Sequence, residues 1–280
     1  RRIGQTPDLN INIAENESII NYPGAINLLN AMKISGRDKD GLGIGFLNAI
    51  TEKTMATVSN DDNGETRQIE VSPLTNYNVT VFDQRFNQNS SVTFINTNVT
   101  RNGSFRDANV TGLLFDLNDK SNKYNISGGL KSSSINDTEN SNGINASVYL
   151  AEKNGKFRYS FGGDYVSKDF DNNDLGINFR TNYYSVYNDA NYRILNPNSI
   201  FNTFRISLAS YFEFYKPTNQ IQSSNFNMNL NSTNKKNHYF GGGLNFNPFK
   251  NYNYYEPRVA DRYFVNPENG FRYVYVTKSA

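Results

Sequence analysis

The segment NGINASVYLAEKNGKFRYSFGGDYV, residues 142–166, alternates apolar with polar or small residues on both sides of a central turn. The apolar positions recur at every second residue, at Ile144, Ala146, Val148 and Leu150 and then at Phe157, Tyr159 and Phe161. The pair Asn154-Gly155 between them is typical of a two-residue type I′ turn. The segment therefore predicts an antiparallel hairpin with one apolar face and one polar face.

The same period of two recurs along the whole chain, and helical periodicity is almost absent. Boundaries set by this pattern carry an error of about 2–4 residues. The predicted strands cover residues 25–36, 41–51, 76–86, 91–100, 108–118, 123–132, 143–152, 156–166, 182–194, 201–214, 223–232, 237–247 and 271–278.

The connections between these strands alternate between short and long. Short turns are predicted at 37–40, 87–90, 119–122, 153–155, 195–200 and 233–236; longer connections are predicted at 52–75, 101–107, 133–142, 167–181, 215–222 and 248–270. Transmembrane β-barrels of the bacterial outer membrane are built in this way, with short periplasmic turns, longer extracellular loops and strands of about 9–11 residues. The predicted fold is an all-β, up-and-down antiparallel transmembrane β-barrel, oriented by its loop lengths.

The segment GRDKDGLGIGFLNAITEKT, residues 36–54, explains why the apolar face lies outside. Leu42, Ile44 and Phe46 share one face, whereas the other face carries glycines at 41, 43 and 45. A barrel in lipid needs its apolar side chains outside and leaves its inner face to water or a plug. Positions predicted to face the lumen are Arg37, Lys131, Arg158, Asp164 and Arg205, which carry both signs of charge and so predict no strong ion selectivity.

The composition narrows the class of protein. Hydrophobic residues make up 37% of the 280, below the usual share of about 45–50%, yet 14% are aromatic, which argues against a disordered chain. No apolar run approaches the roughly 20 residues of a membrane helix. The net charge of +2 gives no field for nucleic acid, and the absence of cysteine excludes disulfides and thiolate zinc sites.

A soluble β-sandwich, solenoid or lectin-like sheet is the alternative to the barrel, because such folds also show alternation and Asn/Gly-rich turns. Strands of spanning length and the two classes of connection favour the barrel. About thirteen strands without a closing partner indicate that residues 1–280 form part of one barrel domain, with the closing strands outside this chain.

Few residues of the chain are candidates for a catalytic, metal-binding or ligand-binding role. His238 is the single histidine and is predicted to lie beside a turn, and the acidic segment 59–65 lacks the spacing of a calcium loop. We predict no catalytic residue, cofactor or metal, although glycan hydrolysis through a region outside this chain stays open. The most site-like segment is 254–270, where candidate ligand contacts in a surface loop are Tyr255, Glu256, Arg258, Asp261 and Arg262. A loop held by its own Glu–Arg and Asp–Arg pairs is the alternative for that segment.

Several blocks of the sequence resemble a family of uncharacterised outer-membrane proteins of Gram-negative bacteria, the domain-of-unknown-function family numbered 5916. They are RRIGQTPDL (1–9), AMKISGRDKDGLGIGFLNAITEKT (31–54), PLTNYNVTVFDQRF (73–86), SSVTFINTNVTR (90–101), NDLGINFRTN (173–182) and YYEPRVADRYF (254–264). The resemblance implies a C-terminal barrel in the bacterial outer membrane, preceded in the full-length protein by a domain similar to family 9 carbohydrate-binding modules. It implies no activity for particular residues.

Three functional hypotheses follow. The first is a non-enzymatic barrel that serves as a channel, a conduit or a docking platform. The second is a surface protein that binds or processes carbohydrate, and the third is a structural subunit of a larger outer-membrane assembly. The expected partners are outer-membrane lipid, with glycans or other outer-membrane and periplasmic proteins as further candidates.

Overall fold

The computed structural model describes residues 3–4, 7, 13–87, 89–194, 196–249, 251–253, 263–265 and 270–278. Within these residues all regular structure is β. The strands are β1 (Glu17–Asn21), β2 (Leu28–Arg37), β3 (Leu42–Thr51), β4 (Thr54–Asn60), β5 (Thr66–Ser72), β6 (Thr75–Phe86), β7 (Ser90–Arg101), β8 (Asp107–Asn118), β9 (Tyr124–Asn136), β10 (Ser141–Glu152), β11 (Phe157–Val166), β12 (Tyr183–Ile194), β13 (Phe201–Tyr215), β14 (Gln220–Asn234), β15 (His238–Phe246), β16 (Asn251–Asn253), β17 (Tyr263–Val265) and β18 (Gly270–Lys278).

Thirteen strands form one antiparallel sheet in the order β2-β3-β6-β7-β8-β9-β10-β11-β12-β13-β14-β15-β18. Each strand pairs with the next one of this order, as in an up-and-down meander. These are the thirteen predicted strands, so the all-β antiparallel prediction is confirmed. Within the described residues, β2 pairs only with β3 and β18 only with β15, so the sheet is open between its two edges.

One end of the sheet carries only short connections, at 38–41, 87–89, 119–123, 153–156, 195–200 and 235–237. We call it the short-turn end, and the opposite end the long-loop end. Asparagine serves where these turns need a left-handed backbone, for example at Asn87 and Asn122, with φ of 47° and 54°. Gly155 has φ of 93° whereas Asn154 has no positive φ, so the predicted type I′ turn is wrong and a wider turn joins β10 to β11.

The long-loop end departs from the prediction in two ways. Strands β9, β10 and β14 run further than predicted, which shortens the connections at 137–140 and 216–219, and the connection at 102–106 is short as well. The connection predicted at 52–75 contains β4 and β5, which form a separate three-stranded sheet with β1 in the order β1-β4-β5. Its acidic tip at 61–65 is the hydrogen-bonded turn of that hairpin rather than a free loop, since Ser18 donates to Asp61 at 2.7 Å.

The three-stranded sheet has a small core of its own, with Ala56, Val58 and Val71 fully buried. Arg67 in β5 joins the two outer strands of this sheet, because it donates to both carboxylate oxygens of Glu17 in β1, at 2.6 and 2.7 Å. These hydrogen bonds lower the pKa of Glu17 to about 2, so the pair is intact at neutral pH.

Candidate functional site

The register of the main sheet separates its residues into two faces, because residues paired across neighbouring strands point to the same side. In β3 and β6 to β15, every large hydrophobic side chain that is exposed lies on one of them, which we call the apolar face. They are Leu42, Ile44, Phe82, Phe86, Phe94, Leu113, Tyr124, Ile126, Leu130, Ile144, Val148, Leu150, Phe157, Tyr159, Phe161, Tyr192, Leu208, Phe226, Met228, Leu244 and Phe246. An exposed apolar surface of this extent is typical of contact with lipid or a partner.

The apolar face ends abruptly toward the long-loop end. One cross-strand row of amides and a hydroxyl crosses six strands there; its members are Asn48, Asn78, Asn98, Asn109, Ser134 and Asn142. Neighbouring amides bond to one another, with Asn48 donating to Asn78 at 2.8 Å. In β3 and β6 to β10 the apolar surface therefore lies between this amide row and the short-turn end.

The opposite face, which we call the polar face, carries all five residues predicted to face a lumen: Arg37, Lys131, Arg158, Asp164 and Arg205. Asp164 accepts a hydrogen bond from Ser185 at 3.1 Å, and Arg37 forms an ion pair with Asp83. The predicted lumen itself stays a prediction, since the sheet is open.

The bare glycine positions of β3 have a structural explanation on this face. A Cβ atom at Gly43 would lie 2.6 Å from Nη2 of Arg37, so the guanidinium of Arg37 occupies the space of a side chain. The same guanidinium donates to the carbonyls of Gly41 at 2.6 Å and Asp83 at 3.2 Å. Glycine here permits a charged side chain to lie flat against the sheet.

Residues 167–182, between β11 and β12, fold onto the polar face, and we call them the inward loop. The backbone of Phe170 lies against Gly143 so closely that a Cβ atom there would be 2.2 Å away. The amide of Asp171 donates to Ser133 Oγ at 3.0 Å, and Ser167 Oγ accepts from the amide of Ile144 at 2.8 Å. Phe170 is 3% exposed, so the loop is docked by burial as well as by hydrogen bonds.

Two arginines at the long-loop end, Arg101 at the end of β7 and Arg106 in the connection to β8, bind the acidic side chains of the inward loop. Arg101 donates to Asp174 Oδ1 at 2.5 Å, and Arg106 donates to Asp174 Oδ2 at 2.8 Å and to Asp171 Oδ2 at 3.0 Å. Burial on its own would raise the pKa of Asp174, but the two guanidinium groups outweigh it and lower the pKa. Asp174 is therefore an anion at neutral pH.

The C-terminal part of the inward loop is anchored to β13. Arg180 donates to Glu213 Oε1 at 2.8 Å, and Gln222 donates to the same oxygen at 2.7 Å. Glu213 is 1% exposed, so these two donors hydrogen-bond a buried carboxyl group. Between the two anchors, Ile177 and Phe179 are 62% and 88% exposed on the docked loop.

The sequence reasoning did not find Arg101, Arg106, Asp174, Arg180 or Glu213. The pairing joins residues up to 73 positions apart, and neither the arginines nor the acids form a recognisable motif in sequence. The candidate contacts Tyr255, Glu256, Arg258, Asp261 and Arg262 lie outside the described residues. His238 begins β15 beside the 235–237 turn as predicted, and its amide donates to Asn234 at 2.9 Å.

Two searches of the described part of the chain are negative. No group of three or more His, Cys, Asp or Glu side chains there has the arrangement of a metal site. None of its residues form a helix long and apolar enough to cross a membrane.

The protein is therefore an all-β protein with an up-and-down antiparallel sheet. The sheet has one apolar and one polar face, and a loop folds onto the polar face. Within that class, the chain belongs to the family described as Domain of unknown function (DUF5916), whose model matches residues 1–279. The resemblance noted in the sequence is thereby confirmed; the preceding carbohydrate-binding-like domain stays a prediction. A search of curated proteins finds no match.

The chain is similar in structure to several outer-membrane β-barrel porins of Pseudomonas aeruginosa. OccK9 (OpdG) aligns with a TM-score of 0.40 and 11% identity over 92% of this chain and 68% of that chain. OccK5 (OpdH) aligns with a TM-score of 0.37 and 12% identity over 76% of this chain and 64% of that chain, so the chain spans less than two thirds of its length.

Proposed function

We propose that the protein is an outer-membrane β-barrel whose polar face lines a passage for small hydrophilic solutes. The observation that carries the proposal is that the exposed large hydrophobic side chains of β3 and β6 to β15 all lie on a single face. In water this surface would promote aggregation, whereas in a bilayer it would face lipid, with all interior strands hydrogen-bonded to neighbours on both sides. Lipid of the outer membrane is then the main partner of the apolar face.

The inward loop gives the passage its narrowest part in this proposal. It lies across the polar faces of β9 and β10 and is tied to β7 and β13, so it covers part of the surface that water or solute would follow. Most of its charged side chains form ion pairs: Asp171 and Asp174 pair with arginines, and Arg180 pairs with Glu213. We therefore expect selection by size and hydrogen bonding rather than by ion charge. The proposal assigns no catalytic role.

Single-channel conductance of the full-length protein in planar bilayers tests the proposal. We expect stable, reproducible current steps, because the polar face would enclose water. Heat-modifiable migration on a gel checks that the protein has inserted. Inserted protein without current would overturn the passage and favour an anchor or docking platform, and protein that does not insert would overturn the membrane assignment.

The orientation is a separate prediction. We expect the short-turn end in the periplasm, because it carries only short connections and outer-membrane β-barrels have short periplasmic turns and longer extracellular loops. The chain contains no cysteine, so the single variants Lys120→Cys in the 119–123 turn and Glu139→Cys in the 137–140 turn give clean labels. A membrane-impermeant maleimide added to intact cells should label the residue at 139 and spare the residue at 120. Lysed cells, in which both should react, are the control, and the reverse pattern in intact cells would invert the orientation.

A further inference from the structure

A cationic pocket lies at the short-turn end, between the turns 153–156 and 195–200. Its volume is about 530 Å³, and the side chains that line it include Lys156, Arg158 and Arg193. No acid is among the described residues that line the pocket. Three cations around one cavity without a carboxylate are suited to an anionic ligand.

The three cations have no acidic partner among the described residues. Lys156, Arg158 and Arg193 appear in none of the ion pairs there. Arg158 Nε donates only to the carbonyl of Gly155, at 3.3 Å, and Arg193 Nε is buried without a hydrogen-bond partner. A buried donor without a partner destabilises the protein, and a ligand oxygen would satisfy it.

The neighbouring positions add positive charge rather than neutralise it. Arg193 in β12 is paired directly with Arg205 in β13, and like charges at opposite positions of a sheet destabilise it. The nearest acid along β12 on the same face is Asp189, which accepts a hydrogen bond from Asn191 at 3.2 Å. A bound anion would relieve the repulsion between the two arginines.

The pocket also joins the two faces of the sheet. Tyr192 and Ile194 belong to the apolar face, whereas Arg158 and Arg193 belong to the polar face. A ligand with an anionic head and an apolar chain would satisfy both sets of side chains. Lysines also prevail over acids in the other described short turns, with Lys39, Lys120, Lys123, Lys235 and Lys236 beside Asp38, Asp40 and Asp119.

We propose that this pocket binds a phosphate group through Lys156, Arg158 and Arg193. Two sources share this chemistry, the headgroup of an anionic phospholipid and soluble phosphate. The lipid source rests on the proposed membrane function. The phosphate site does not depend on conductance, because its binding is measured on detergent-purified protein.

Native mass spectrometry of the full-length protein tests the lipid source, with phosphatidylglycerol compared with diacylglycerol, which lacks the phosphate. Isothermal titration calorimetry with inorganic phosphate in a chloride buffer tests the soluble source. The variant Lys156→Gln/Arg193→Gln should weaken binding by about a hundredfold, since two charge-assisted hydrogen bonds are lost. It should also fold, because it removes one member of the Arg193–Arg205 pair.

The matched control is Lys235→Gln/Lys236→Gln, which removes the same charge from another turn at the same end and should bind like the native protein. Preference for phosphatidylglycerol over diacylglycerol, lost only in the pocket variant, supports the site with lipid as its source. Saturable inorganic phosphate binding without that preference supports the site with a soluble source. Equal binding of both lipids together with no phosphate binding, or equal affinity in the two variants, would overturn it.

Discussion

Replacing Leu113 by arginine should destabilise the membrane-inserted protein by about 2–4 kcal/mol, the cost of an arginine on the lipid face near the middle of a bilayer. Leu113 lies on the apolar face and is 54% exposed. Its cross-strand neighbours on that face are Phe94 and Leu130, which are also exposed and apolar. Urea unfolding of the protein in lipid vesicles measures the difference in the free energy of unfolding.

Leu114→Arg is the matched control, because it changes the same residue type one position further along β8. Leu114 lies on the polar face, paired with Thr93 and Gly129, in the cross-strand row that also contains Asp83. We expect its free energy of unfolding to change by less than about 1 kcal/mol, because water is available to the guanidinium group on that face. Equal losses in the two variants would show that the apolar face does not contact lipid.

The strands were predictable because a period of two is a local property. Ile144, Val148 and Leu150 show their common face in the sequence itself, and the register of β10 with β9 and β11 leaves that alternation unchanged. The hairpin of β4 and β5 was missed although Thr54, Ala56 and Val58 alternate, because the strands have only seven residues and enclose an acidic turn. The outer ends of β9 and β14 were missed because Ser, Thr and Asn give no apolar alternation.

The polar face was predictable only as a pattern. Alternation places Lys131, Asp164 and Arg205 on one side of the sheet, but it does not tell which loop folds over that side. The inward loop depends on tertiary contacts, such as the backbone of Phe170 against Gly143, and on ion pairs between distant residues. The cationic pocket likewise needs the register, because Arg193 and Arg205 are brought together by strand pairing rather than by sequence spacing.

Replacing Asp174 by asparagine should release the inward loop. The change keeps the shape of the side chain but removes the charge that receives hydrogen bonds from Arg101 and Arg106, and both guanidinium groups are only partly exposed. Loss of charge-assisted hydrogen bonds of about 1.5–3 kcal/mol should raise the open fraction of the loop about ten- to a hundredfold. Hydrogen–deuterium exchange measured by mass spectrometry over residues 167–182 should accelerate by the same factor.

Asp169→Asn is the control for this change, because it removes the same charge from an exposed position of the same loop that has no ion pair among the described residues. We expect its exchange to stay within about twofold of the native rate.

The pH dependence of loop protection separates the effect of the charge of Asp174 from the effect of its shape. Because the pKa of Asp174 is lowered from its ordinary value of about 3.9, its contribution to docking is complete above that value and is lost as the pH falls through the lowered pKa. Protection of the loop, corrected for intrinsic exchange, should therefore be flat from about pH 8 to pH 5 and fall only in stronger acid. In Asp174→Asn the fall in acid should be smaller, because only Asp171 and Glu213 remain to be protonated. Native-like protection in Asp174→Asn, or loss of protection in the native protein already near neutral pH, would show that the two arginines do not hold the loop.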